Sequence, residues 1–201
     1  LGQGDRLPKE AVLVERLGAG RSTVREAMKL LQSRNIVRIK QGSGTYVASN
    51  PGVADDPLGF TFIGDKQRLA RDLLEVRFMI EPQMASMAAE HATEDQIMCI
   101  RELCDESQRL AEAGEDYSAA DTAFHNAIAE SCGNLVVPRL MGVLKASVPL
   151  FIDVTGKKLV EETIRTHRGV ADAIEARNPT AAHDAMYLHL VYNRKILKSL
   201  N

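Results

Sequence analysis

The stretch from Arg21 to Val47 constrains this chain most. It reads Arg21-Ser22-Thr23-Val24-Arg25-Glu26-Ala27 and, a little later, Gln41-Gly42-Ser43-Gly44-Thr45-Tyr46-Val47. The first part is the leading end of a short helix with two arginines and two hydroxyls. The second is a glycine turn between two short strands. A helix followed by such a hairpin is the arrangement that lays a recognition helix in the DNA major groove with a wing beside it.

The flanking residues extend the pattern. Pro8 leads into a helix over Lys9–Leu17, and Gly18-Ala19-Gly20 makes a turn. A second helix runs over Ser22–Ser33, with Val24, Ala27, Met28 and Leu31 at helical spacing on one face. Ile36–Ile39 and Thr45–Val47 are the strands. Helix, turn, helix and hairpin make a winged helix-turn-helix over residues 1–50. Residue 1 is Leu and the pattern is already under way there, so the expectation is that a first helix precedes this numbering.

Charge divides the chain at the same place. The net charge is −2, yet residues 1–50 hold nine Lys/Arg against four Asp/Glu, and the remainder is acidic. A small basic head on an acidic body suits a nucleic-acid reader joined to something else. Hydrophobic residues make up 45% and aromatics only 4%, with no Trp, which fits a packed, mostly helical protein. No apolar run approaches the ~20 residues that span a bilayer, and no signal peptide is visible, so the chain is expected in the cytoplasm with no membrane partner. Cys99, Cys104 and Cys132 have neither the number nor the spacing of a disulfide or cysteine-zinc framework, and read as small buried hydrophobes.

Two prolines, a glycine and paired aspartates between Ser49 and Pro57 mark a linker, placed at 51–65. Residues 66–201 then read as helices: Lys66–Glu90, Glu94–Ala113, Tyr117–Ser131, Leu135–Val154, Val160–Ala176 and Pro179–Ser199. Thr93 is a good N-cap, with acidic residues behind it. The fold class is mainly α, a winged helix followed by an all-α antiparallel bundle.

On the second helix Arg21 and Arg25 are four apart and share a face. Arginine pairs bidentately with guanine, worth about 1–3 kcal/mol of discrimination per good pair. Ser22 and Thr23 suit phosphate or base-edge contacts, Gly42 and Gly44 allow close approach of the wing backbone, and Gln41 can enter the minor groove. Taken with Leu7-Pro8-x-Glu10 and Leu17-Gly18, these motifs resemble the winged-helix domain of the GntR family of bacterial regulators over nearly all of the first fifty residues. The chain departs from that pattern in two places. Lys9-Glu10-Ala11 stands where the family commonly has Ser-Glu-Arg, and Gly20 replaces a Ser or Thr. The family's DNA-contacting arginine is thus absent at Ala11, and Lys9 is a candidate phosphate contact instead.

Four body residues have ligand chemistry. Asp121 and His125 project from one helix face, His167 lies on a stripe with Ile164, Val170 and Ile174, and His189 follows Met186 by three. Three imidazoles and a carboxylate converging in a bundle core would make a divalent metal site, with Zn foremost and Ni, Mn, Co or Fe compatible. The competing reading is hydrogen-bonded core histidine. His91 and His183 fit no such pattern and are expected to be solvated. Arg77 sits four before Glu81, so it is either that residue's ion-pair partner or a fork for a ligand carboxylate.

Leu74-Glu75-x-Arg77-x-x-x-Glu81, Asp121-x-x-Phe124-His125, Gly133-Asn134, His167 with Ala173-Ile174, and Met186-x-x-His189-Leu190 resemble the FCD effector domain of the FadR subfamily, over roughly residues 67–197. The resemblance implies that Asp121, His125, His167 and His189 hold a divalent ion. It also implies a small carboxylate effector (a hydroxy acid, sugar acid or dicarboxylate) completing the coordination, with Arg77 nearby. The expectation is a homodimeric one-component transcriptional regulator, a repressor, reading a short palindrome and released from operator DNA by its effector. The alternatives are a metal-dependent enzyme using the same ligands, and a regulator that senses the metal itself.

Overall fold

The computed structural model describes residues 1–48, 52, 56–144, 150 and 160–199. It divides into two compact units, Leu1–Gly59 and Phe60–Asn201. Residues 51 and 53–55 of the linker lie outside the described residues, as does most of the second half of the helix expected over Leu135–Val154.

In the first unit, α1 spans Glu10–Leu17 and α2 spans Arg21–Ser33. Gly18 ends α1 in the left-handed conformation at φ 60°, which glycine adopts without penalty. Strands β1 (Val37–Lys40) and β2 (Gly44–Val47) pair antiparallel, with Val37 opposite Val47 and Lys40 opposite Gly44. Val24 and Met28 of α2 and Val37 of β1 are buried together, with Leu7, Leu13, Val14 and Leu31 packed around them. Ala27, expected on this inward face, is exposed. The apolar stripe is narrower than the spacing suggested, running through Val24 and Met28 with Leu31 half-buried beside them.

In the second unit a single turn over Phe60–Phe62 precedes, among the described residues, six helices: α3 Lys66–His91, α4 Glu94–Glu112, α5 Ser118–Ser131, α6 Val137–Leu144, α7 Val160–Glu175 and α8 Pro179–Ser199. Side-chain oxygens set their starts. Asp65 accepts from the Arg68 N–H, Thr93 and Gln96 form a reciprocal capping box, and Asn178 accepts from the Ala181 N–H. Asn134 Oδ1 accepts from the N–H groups of both Val136 and Val137, so α6 begins at Val137 rather than Leu135. Tyr117, expected as a helical residue, is instead the buried residue just ahead of α5.

Helix α3 packs on α8, α8 on α7, and α4 on both α5 and α7. Their shared core includes Met84, Ile100, Phe124, Ile128, Val170, Ile174 and Met186. Arginines tie the outer seam of α4 to α7: Arg101 pairs with Asp172 and Glu175, and Arg168 with Asp105 and Gln108. Cys104 and Cys132 are buried as expected, but Cys99 is exposed, because the inward face of α4 runs through Ile97, Ile100 and Cys104. No described helix is long and apolar enough to cross a membrane.

Candidate functional site

Two regions carry chemistry, one in each unit. In the first, Arg21 opens α2, and Ser22, Thr23 and Arg25 follow with their side chains exposed. Val24 and Met28 are buried, and Arg21 and Arg25, four apart and flanking that stripe, are exposed on one side of α2. Gly20 precedes the helix without a side-chain cap, so the first amides of α2 are not engaged by a capping side chain. Arg25 Nε lies 3.7 Å from Glu10 Oε2 on α1, with both side chains exposed. Such a contact is weak and readily exchanged for an anion. Lys9 immediately precedes α1 and is exposed, as are Gln41 and Gly42 at the wing turn, whereas Gly44 is half-buried.

The second region lies inside the helical unit. Asp121 and His125 come from α5, His167 from α7 and His189 from α8, and all four are buried. His125, His167 and His189 each offer a ligand atom, and these atoms lie within 4.8 Å of one another. The ring centroids are 4.6–5.3 Å apart. Asp121 Oδ1 is 3.6 Å from His167 Nε2, and its Oδ2 is 3.9 Å from His125 Nε2. Both separations exceed hydrogen-bond length. They match the roughly 3–4 Å between ligands that each stand about 2.0–2.2 Å from a shared ion.

Arg77 and Glu81 of α3 form the wall beside this cluster. Arg77 Nε donates to Glu81 Oε1 at 2.6 Å and Nη2 donates to Oε2 at 3.2 Å, both side chains fully buried. Of the two readings open for Arg77, the structure therefore shows the ion pair. The guanidinium fork is filled by Glu81 rather than left free for a ligand, because an unpaired carboxylate at this depth would be costly.

Hydrogen bonding identifies the tautomers. Arg77 Nη2 lies 3.3 Å from His125 Nε2 and can only donate, so His125 keeps its lone pair on Nε2 and its proton on Nδ1. That Nδ1 is 2.9 Å from Glu81 Oε2, in contact but without hydrogen-bond alignment. Thr166 Oγ1 gives its single proton to the Glu162 carbonyl at 2.7 Å, so at 3.0 Å it accepts from His189 Nδ1–H. His189 thus also carries its lone pair on Nε2, which faces the Asn193 amide at 3.2 Å. Both rings carry their lone pair on Nε2, the nitrogen through which such a ring ligates a metal, and in His189 the other nitrogen is braced by Thr166. His167 Nε2 is buried without any hydrogen-bond partner.

Electrostatics agree. Burial holds the His167 and His189 imidazoles well below their ordinary range, and the neighbouring histidines and Arg77 push them in the same direction. Burial would raise Glu81, but Arg77 and His125 outweigh it and keep its carboxyl well below the usual value. Asp121 is raised by burial, against the opposing pull of His125 and Arg77. Buried imidazoles around a poorly solvated carboxyl group form a donor set suited to a divalent ion.

Thr166, Asn193 and the contact of Glu81 with His125 escape a reading of the sequence. A buried hydroxyl next to His167 on α7 is a faint signal for Thr166, but its partner His189 lies 23 residues away. His183, expected to be solvated, is half-buried beside Asp184, whereas His91 is exposed as expected, with one side of its ring against Gly133.

Known proteins frame both regions. The family model described as "Bacterial regulatory proteins, gntR family" matches residues 1–47, and the FCD domain model matches residues 72–192. HTH-type transcriptional regulator LutR of Bacillus subtilis is 31% identical, over 96% of this chain and 92% of that protein. HTH-type transcriptional repressor NanR of Escherichia coli K12 is 27% identical, over 94% and 74%. A solved Streptococcus agalactiae GntR structure superposes with a TM-score of 0.79 at 38% identity, covering 96% of this chain and 91% of that one. With its winged helix at the front and its FCD domain behind, the chain belongs to the GntR family of bacterial transcriptional regulators.

Proposed function

We propose that this regulator is a cytoplasmic, homodimeric repressor whose grip on operator DNA is set by a small carboxylate bound at a metal centre in its helical unit. The DNA side of this reading rests on the exposed face of Arg21, Ser22, Thr23 and Arg25, supported by Lys9, Gln41, Gly42 and Gly44. Two such heads would read the halves of a short palindrome.

One observation carries the effector side. Three buried imidazoles lie within reach of one another beside a buried carboxyl group, and two of their ring nitrogens, His125 Nδ1 and His167 Nε2, lack a hydrogen-bond partner. Asp121, His125, His167 and His189 would hold the ion, with Zn the first candidate and Ni, Mn, Co or Fe compatible with the same donors. A bound divalent ion supplies a Lewis-acid anchor for a carboxylate. Glu81 and Thr166 orient two of the rings, and Asn193 gives an amide donor at the lip of the cluster. Arg77, held by Glu81 with Nη2 turned toward His125, adds positive field for an anionic effector rather than a free fork.

Effector binding can shift DNA affinity only by the difference in its own affinity for the DNA-competent and DNA-released states. The test is a thermal-shift panel of hydroxy acids, sugar acids and dicarboxylates on Zn-loaded protein, with and without chelator. A ligand at about 100 times its Kd stabilises by about 2.7 kcal/mol. The expected result is a rise in Tm for at least one carboxylate that disappears with chelator. No hit, together with a Tm indifferent to chelator, would reduce the cluster to structural histidine. A chelator effect with no carboxylate hit would instead favour a regulator that senses the metal itself.

A further inference from the structure

The two-stranded wing has an added edge. Residues 4–7 run along the free edge of β2: Gly4 donates its N–H to the Val47 carbonyl at 3.1 Å, Val47 to Asp5 at 2.9 Å, and Leu7 to Thr45 at 2.8 Å. Arg6 is thereby paired with Tyr46, and Tyr46 is paired with Arg38 across the hairpin. Residues directly opposite in antiparallel strands project to the same face. Arg6, Tyr46 and Arg38 therefore form one row, and Lys40 and Gly44, two residues along each strand, form the next. The other face sends Val37 into the core.

This outward face is cationic and ordered. Arg6, Arg38 and Lys40 are all exposed. The Arg6 guanidinium carbon lies 6.0 Å from the Tyr46 ring centroid, and Lys40 Nζ lies 5.1 Å from it. The Tyr46 hydroxyl is anchored to Ser43 Oγ at 2.8 Å. Gly44 leaves the space in which Arg6 lies: a Cβ there would stand 2.9 Å from Arg6 Nε, and its φ of +131° already disfavours other residues. Among the described residues neither Arg6 nor Lys40 has a carboxylate partner. Like charges gathered on one face repel, and a stacked guanidinium gives up side-chain freedom before any ligand arrives.

We propose that this sheet face binds the phosphates of duplex DNA through Arg6 and Lys40, with Tyr46 as the platform that aims them and Gly44 as the opening that admits Arg6. It is continuous with the DNA-binding domain but distinct from the base-reading helix and the turn at Gln41–Gly42. The contact is with backbone charge, so it strengthens binding to every sequence alike.

The test uses the full chain and a fluorescein-labelled duplex of mixed sequence, with anisotropy followed from about 50 to 200 mM KCl. Arg6→Gln and Lys40→Gln are each expected to weaken binding and to lower the steepness of log K against log salt by about 0.9 for each phosphate no longer neutralised. Gly44→Ala should act in the same sense as Arg6→Gln by displacing the guanidinium. Arg139→Gln, an exposed charge in the helical unit, should leave the slope unchanged. Melting curves identify any variant whose fold is impaired, and Lys40→Gln reads the same face without touching the added edge. Slopes equal to wild type in both Arg6→Gln and Lys40→Gln would overturn the proposal.

Discussion

The wing and the histidine cluster are opposite solutions to placing charge. On the wing, Arg6, Arg38 and Lys40 stand in water, where a cation costs little and its use is to meet another molecule. In the helical unit, Arg77, Glu81 and Asp121 are buried, so each must be answered from within the protein. The wing should therefore tolerate removal of charge and report it in binding, whereas the cluster should report it in stability.

The largest effect is expected at Arg77. Arg77→Ala leaves Glu81 buried and unanswered, and should cost about 3–5 kcal/mol in urea unfolding. Replacing both partners, as Arg77→Met with Glu81→Leu, should recover most of that deficit. The exposed pair Lys29–Glu26 on α2, at 2.9 Å, offers the contrast: Lys29→Ala should change stability by no more than about 0.5 kcal/mol. Equal costs at the two pairs would erase the distinction.

Next in size are the reading residues. Arg21→Ala or Arg25→Ala should lower affinity for an operator recovered by selection from random duplexes by about 1–3 kcal/mol, with an unchanged melting curve. Unchanged affinity would remove α2 as the recognition helix.

Thr166 sharpens the buried side. Thr166→Val removes the acceptor that holds the His189 tautomer, and should weaken metal binding by roughly 10–100-fold, while Thr166→Ser retains it. A Thr166→Val protein with wild-type affinity would mean that the His189 ring needs no such brace.

The smallest effect separates two cysteines of one helix. Burial raises the Cys104 thiol to about 11, while Cys99 is exposed. A thiol reagent at pH 8 should label Cys99 quickly and leave Cys104 unreacted until the protein unfolds. A folded value above the unfolded one means that Cys104 contributes its stability below the ordinary thiol range, and that this fades as pH rises toward 11. Rapid labelling of Cys104 at pH 8 would contradict its burial.

Much of this architecture is legible from residue order alone, and the exceptions share a cause. Helical spacing locates α3 through α8, and the apolar stripes through Ile164–Ile174 and Met186–Leu190 turn His167 and His189 inward. Local rules also foresee the Thr93 cap. What escapes depends on partners far along the chain. Arg6 meets Tyr46 forty residues on, through an edge segment too short to show alternation, so by itself it reads as an isolated cation before Leu7-Pro8. Thr166 looks like an ordinary helical residue until α8 brings His189 against it. Arg77 and Glu81 can be paired from their spacing, but only the packing of α3 on α5 shows that the pair also touches His125. The start of α6 slips by two residues because Asn134 captures the preceding amides.

The assignment of the histidine cluster is tested most directly by calorimetric titration of Zn into chelator-stripped protein, with His167→Ala run in parallel. The expected result is single-site binding to the wild type that is abolished or strongly weakened in His167→Ala, whose wild-type ring carries a buried Nε2 without a hydrogen-bond partner. No binding to the wild type, or equal binding to both, would contradict a metal centre at Asp121, His125, His167 and His189.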